Sequence, residues 1–204
     1  LIDSNDNWSN SPTLVAAAGS VGAFAFPTGS RDAAVSASLA AGGYTAQVFD
    51  PNGAAGVALA EIYDTSASFS YFRPRLVNVS ARAIVGTGGD VLITGFVVAG
   101  ETPLTVLVRA VGPTLTQFGV TGTLANPRLT LYRDATIIAT NDDWGDVGPA
   151  TIVSTAASVG AFALPQGSRD AAIVATLQPG TYTAQVSGVG GSGGDALAEV
   201  YEVP

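Results

Sequence analysis

Several stretches of the chain alternate apolar and polar residues with a period of two, the pattern of a half-buried strand. In Tyr182-Thr-Ala-Gln-Val186 the Tyr, Ala and Val share one face, while Thr183 and Gln185 share the other. Asn78, Ser80 and Arg82 alternate in the same way with Val77, Val79, Ala81 and Ala83. Turn-forming clusters separate such runs: Thr87-Gly-Gly-Asp90, Gly100-Glu-Thr-Pro103, Gln178-Pro-Gly180 and Gly190-Gly-Ser-Gly-Gly-Asp195. Short strands at this spacing predict an all-β chain of β-sandwich or jelly-roll type with Gly-rich turns. Helix is expected in under about a tenth of the residues, against the usual third. It is placed only in the Ala-rich run after each Trp, where Ser11-Pro12 and Gly148-Pro149 offer a cap residue and a first-position Pro.

Two runs break the alternation. Val91-Leu-Ile-Thr-Gly-Phe-Val-Val98 and Leu104-Thr-Val-Leu-Val-Arg-Ala-Val111 are apolar on both faces, as strands covered on both sides are. With no helix expected nearby, the second face is assigned to a loop or linker, or else to another repeat or subunit.

Self-comparison reveals a repeat. Residues 1–8 match 137–144, and Ser20-Val-Gly-Ala-Phe-Ala-Phe-Pro27 matches Ser158-Val-Gly-Ala-Phe-Ala-Leu-Pro165. Gly29-Ser-Arg-Asp-Ala-Ala34 returns unchanged as residues 167–172, Tyr44-Thr-Ala-Gln-Val48 as residues 182–186, and Ala58-Leu-Ala-Glu-Ile-Tyr63 as Ala196-Leu-Ala-Glu-Val-Tyr201. The offset is 136 up to the Trp and 138 beyond it, so two residues are inserted just after Trp144. We call the duplicated stretch segment B and the stretch of about 68–136 segment A. The order is B–A–B: one A for two Bs. Leu129-Thr-Leu-Tyr-Arg133 leads into the second B as a strand, and nothing equivalent precedes the first. Residues 1–67 are therefore expected to form a partial repeat, an incomplete sandwich, and residues 68–204 a complete one. Its core should include Val79, Phe96, Val106, Leu131, Phe162, Tyr182 and Val186. An incomplete sandwich has an open edge and an uncovered core, which is costly in water. The missing strands are expected from upstream sequence or from a neighbouring molecule.

Composition narrows the chemistry. The chain has no Cys, His, Met or Lys, so its eight basic residues are all Arg. Zinc, haem and iron–sulfur sites of the usual kind, and thiol or imidazole nucleophile systems, lose their ligands and bases. A net charge of −8 with no basic stripe speaks against nucleic acid and anionic membrane as partners. No run approaches the roughly 20 apolar residues that span a bilayer. The absence of an initiator Met and a signal peptide reads as a portion of something longer.

Few constellations remain. Asn5-Asp6-Asn7 and Asn141-Asp142-Asp143 precede a Trp in each copy. Clustered oxygens of this kind suit calcium, with Asp6, Asp142 and Asp143 as the ligating carboxylates. Asx residues also bond their own backbone in turns, and the spacing is not that of a calcium loop. Arg31-Asp32 and Arg169-Asp170 read as ion-pairing or backbone-bonding residues at the start of a strand, on opposite faces and not paired with each other. Glu61 and Glu199 share a face with a Leu and a Tyr; a glycosidase needs two carboxyl groups, and each copy offers one. A partly exposed interface is the expected role of that face. Gly86-Thr-Gly-Gly-Asp90 lacks the Lys and helix of a phosphate loop and reads as a hairpin turn. Asn7-Trp-Ser9 and Asn78-Val-Ser80 match the glycosylation sequon.

Arg75-Leu-Val-Asn-Val-Ser80, Val85-Gly-Thr-Gly-Gly-Asp90, Val108-Arg-Ala-Val-Gly-Pro113, Leu124-Ala-Asn-Pro127 and the Asn-Asp-Asp-Trp loop together resemble a repeat of very large secreted bacterial surface proteins. Segment B, with Gly180-Thr-Tyr-Thr-Ala-Gln-Val186, is similar to the jelly-roll pre-peptidase C-terminal domains of bacteria. These resemblances imply an extracellular location, a β-sandwich and a non-catalytic role; some such modules bind calcium or carbohydrate. The expected function is an extracellular structural subunit of a filament or surface appendage, assembled head to tail from copies of itself. The alternative is a non-catalytic module binding polysaccharide or a surface within a larger secreted protein.

Overall fold

A computed structural model describes residues 1–66 and 75–204, and the chain divides into two units, Leu1–Leu76 and Val77–Pro204. The first unit holds helix α1 (Pro12–Val21), and no strand is formed among its described residues. The second unit holds β1 (Asn78–Val85), β2 (Leu92–Val98), β3 (Leu104–Val111), β4 (Pro127–Arg133) and β5 (Thr136–Asn141). These are followed by α2 (Pro149–Ser158), β6 (Ala171–Leu177), β7 (Gly180–Gly188) and β8 (Gly194–Val203).

The strands of the second unit form two four-stranded antiparallel sheets, ordered β1-β8-β3-β6 and β2-β7-β4-β5. The unit is an all-β sandwich. Most connections pass from one sheet to the other, and the hairpin joining β4 to β5 is the exception. The Gly86–Asp90 turn is closed by a bond from the Gly86 amide to the Asp90 carbonyl (2.7 Å). It is not a hairpin, because β1 and β2 lie in different sheets.

The alternating faces meet between the sheets as the pattern requires. Val106, Val108 and Ala110 of β3, Leu129 and Leu131 of β4, and Tyr182, Ala184 and Val186 of β7 are buried in one cluster. Of the expected core, Val106, Leu131, Tyr182 and Val186 are buried, and Phe96 packs against the cluster from its edge, its ring stacked 5.6 Å from that of Tyr182. Val79 is half-buried on edge strand β1. Phe162 is half-buried and lies outside this cluster, with a different task described below.

The outer face of β3 is covered by a helix, contrary to expectation. Leu107, Ala172 and Tyr201 form a second cluster with Trp144 and with Ile152 and Ala156 of α2. Ile152 and Ala156 stand four residues apart, so they share one face of the helix. Each ten-residue helix begins with Pro and makes no side-chain cap bond. Each is closed by a residue at positive φ, Gly22 or Gly160, followed by an amide bonded five residues back: Ala23 to Ala18 and Ala161 to Ala156. The helices run nearly three turns. With the 3-10 turns at Pro113–Phe118 and Val189–Gly191, helix exceeds the expected tenth. Strand β2 behaves otherwise: its outer residues Ile93 and Val97 are exposed, and it pairs only with β7.

Candidate functional site

Three charged side chains are buried in the sandwich: Arg109, Asp170 and Glu199. Arg109 is the one charge of β3, and the register sets it opposite Ala172 on one side and Glu199 on the other. Its Nε donates to Glu199 Oε2 at 2.8 Å, and Nη2 donates to the same oxygen. Nη1 donates to the Phe162 carbonyl at 2.5 Å, and the guanidinium lies 4.2 Å from the centre of the Phe162 ring. Glu199 Oε1 accepts from the Tyr201 hydroxyl at 2.7 Å. Burial, and then the bond to Glu199, raise the Tyr201 pKa well above its ordinary value. A buried charge is tolerated only when paired and hydrogen-bonded, and this pair is.

Asp170 forms a second joint. Its Oδ1 accepts from the amides of Gly112 (2.8 Å) and Thr114 (3.3 Å), and its Oδ2 from the Thr114 hydroxyl (2.5 Å). The carboxylate thus closes the corner between β3 and the following 3-10 turn. Gly112 is required there, because a Cβ at this position would strike the Leu124 carbonyl. At both joints, segment A supplies the donors (Arg109, Gly112, Thr114) and segment B the acceptors (Glu199, Phe162, Asp170).

The Asn-Asp loops are built alike in the two copies. Asn141 Nδ2 donates to the Asp143 carbonyl (3.0 Å), and its Oδ1 accepts from the Ala172 amide (2.9 Å). Asn5 makes the same bonds to Asn7 (3.0 Å) and Ala34 (3.1 Å). Trp144 donates through its amide to the Asp170 carbonyl and through Nε1 to Ser168 Oγ; Trp8 does so to Asp32 and Ser30, at the same 2.8 and 3.1 Å. Both indoles are buried, so neither offers a stacking platform for a sugar. The bonding to the loop's own backbone is thus made by the Asn of each loop, as donor to the carbonyl two residues on. Of the carboxylates considered for calcium, Asp6 accepts from Asn7 (2.9 Å), and Asp142 is exposed near Arg128 (3.4 Å). Among the described residues, no group of three or more Asp or Glu side chains could hold a metal ion.

The first unit carries every acceptor and none of the segment-A donors. Glu61, Phe24 and Asp32 occupy the repeat positions of Glu199, Phe162 and Asp170, and all three are exposed. Tyr63 donates to Glu61 Oε1 (3.0 Å), as Tyr201 does to Glu199. Partial burial and that bond raise the Tyr63 pKa. The apolar positions diverge just as sharply: Leu39, Tyr44 and Val48 are 46, 47 and 65% exposed, and their counterparts Leu177, Tyr182 and Val186 are 5, 2 and 0% exposed. The face carrying Glu199 is buried in the second unit. It is open only in the first.

Sequence reasoning passed over Arg109. A lone charge at the centre of an apolar strand was the available signal, with Glu199 as the matching lone charge of Ala-Leu-Ala-Glu-Val-Tyr. No helix among the described residues is long and apolar enough to cross a membrane. No known family profile matches the chain, and no curated protein matches it. Among solved structures, the chain is similar to the pre-peptidase C-terminal domain of a collagenase from Bacillus anthracis. The identity is 13% and the TM-score 0.37, with 63% of this chain and 97% of that one covered. The sandwich assignment stands on the chain's own two sheets.

Proposed function

We propose that the chain is a non-catalytic structural protein of the cell exterior, joined head to tail with like modules, copies of itself included, by backbone pairing at its first unit. The observation that carries this reading is the pair of fates of one sequence. Segment B is buried in a sandwich in residues 137–203, and its copy in residues 1–66 leaves the equivalent Leu39, Tyr44 and Val48 in water. An exposed apolar patch of this kind marks an interaction surface. Extended backbone gains affinity by adding to a free sheet edge, and β2, with Ile93 and Val97 exposed and one edge unpaired, is such an edge on a neighbouring molecule. Contacts that join one end of a molecule to the other end of the next propagate as open filaments unless they close into a ring. The extracellular location rests on the sequence resemblance to secreted surface repeats.

Light scattering over a concentration series, with negative-stain microscopy of the same samples, tests the reading. Long uniform fibres are expected. A stable monomer at high concentration would overturn assembly through copies and leave polysaccharide binding as the function to pursue.

A further inference from the structure

We infer that the first unit is a receptor for one further β-segment of segment-A type, distinct from residues 68–136 and recognised through a single arginine. The inference rests on the reading of the first unit as an acceptor and names what it accepts.

The second unit shows the complete joint, and the repeat maps it position by position. There β3 lies between β6 and β8, with Arg109 opposite Ala172 and Glu199, Leu104 opposite Leu177, and Thr105 opposite Val203. Carried to the first copy, the incoming strand runs antiparallel between residues 33–39 and 56–65. Its arginine stands opposite Ala34 and Glu61, and its first residue opposite Leu39. Glu61 is already held by Tyr63, Phe24 offers the ring that Phe162 lays against the guanidinium, and Asp32 awaits the amides and hydroxyl of a Gly-Pro-Thr corner. The ligand is thus an apolar β-segment with one central Arg and a Gly-Pro-Thr end. The exposed Glu61 carboxylate supplies charge complementarity to an arginine, and the convergence of two guanidinium N–H groups on one carboxylate oxygen, as at Arg109 and Glu199, supplies specificity.

Exchange of residues 68–136 among copies does not satisfy the receptor. Each chain has one segment A and two segments B, so exchanging segment A among copies always leaves half of the acceptors open. The donor is therefore an additional segment of this type, over and above the one at residues 68–136.

The test uses the full chain and a labelled synthetic peptide of residues 102–116, together with the same peptide carrying Arg109→Met. Fluorescence anisotropy should show saturation at one peptide per chain, and hydrogen exchange should slow at residues 33–39 and 56–65. Affinity should fall at least about tenfold with the Met peptide, or with Glu61→Gln in the chain, as for a lost charge-assisted hydrogen bond. As a second probe, residues 77–136 are added while the chain refolds. The inference is overturned if neither probe binds, if the Arg and Met peptides bind equally, or if protection appears at 171–203 because the peptide displaces β3. Peptide binding by a chain that stays monomeric upholds the inference while assembly through copies fails. Fibres that form while neither probe binds do the reverse.

Discussion

Arg109 stabilises the sandwich less by attraction than by the penalty for its absence. Removing one partner of a buried pair strands the other charge, at a cost of about 3–5 kcal/mol, whereas replacing both by apolar groups is often neutral or better. Arg109→Met should therefore lower urea stability by about that amount, and Arg109→Met with Glu199→Leu should recover most of it. Fluorescence of the buried Trp144 provides the measurement. Tyr201 gives the same joint a pH signature. Its folded pKa is raised, so its contribution is complete below the unfolded value of 10.0 and is lost as pH rises toward the folded one. Denaturation curves between pH 8 and 12 should show the parent losing stability above about pH 10. Tyr201→Phe should flatten that loss; an equal slope in both proteins would remove Tyr201 as its cause.

Helix α2 is the element that makes β3 a two-sided strand. Its existence was legible in the Ala-rich run after Pro149, but its purpose was not. Only Ile152 and Ala156 of its ten residues are buried, too narrow a stripe to announce a packing face. Ile152→Ala should cost about 2–5 kcal/mol, since the cavity opens onto Leu107 and Trp144. Val153→Ala, on the exposed side, should stay within about 0.5 kcal/mol. The Asn-Asp loops were legible as loops because Asx residues before an aromatic anchor read as turns. Which side chain does the holding was not, since Asn and Asp offer similar oxygens and only the Ala172 amide selects Asn141. The bonding predicts equal melting temperatures in excess calcium and in chelator. A calcium-dependent rise would instead show that the folded chain binds the ion, with Asp6, Asp142 and Asp143 the carboxylates to substitute.

For the whole molecule, the repeat arithmetic carried the most information. Matching Tyr44 to Tyr182 and Glu61 to Glu199 showed from sequence that residues 1–204 hold two copies of segment B and one complement. The joints that make the deficit chemical were hidden, because Arg109 and Glu199 lie 90 residues apart and no local pattern links them.

That separation also shapes how the chain reaches its structure. Glu61 emerges before Arg109 during synthesis and Glu199 after it, so the arginine is made when the first copy is present and the second is not. The loop closed with Glu61 is about half as long as the one closed with Glu199, which favours it by roughly 0.6 kcal/mol of chain entropy. Two repeat-equivalent carboxylates are thus available to one guanidinium: Glu199 holds it in the folded chain, and the shorter loop predicts that Glu61 meets it first. Refolding should partition between the two pairings and show a slow phase as the strand changes partner. Glu61→Gln, by weakening the early competitor, should shrink the amplitude of that phase in stopped-flow fluorescence without altering final stability; an unchanged amplitude would mean that the strand never visits the first copy.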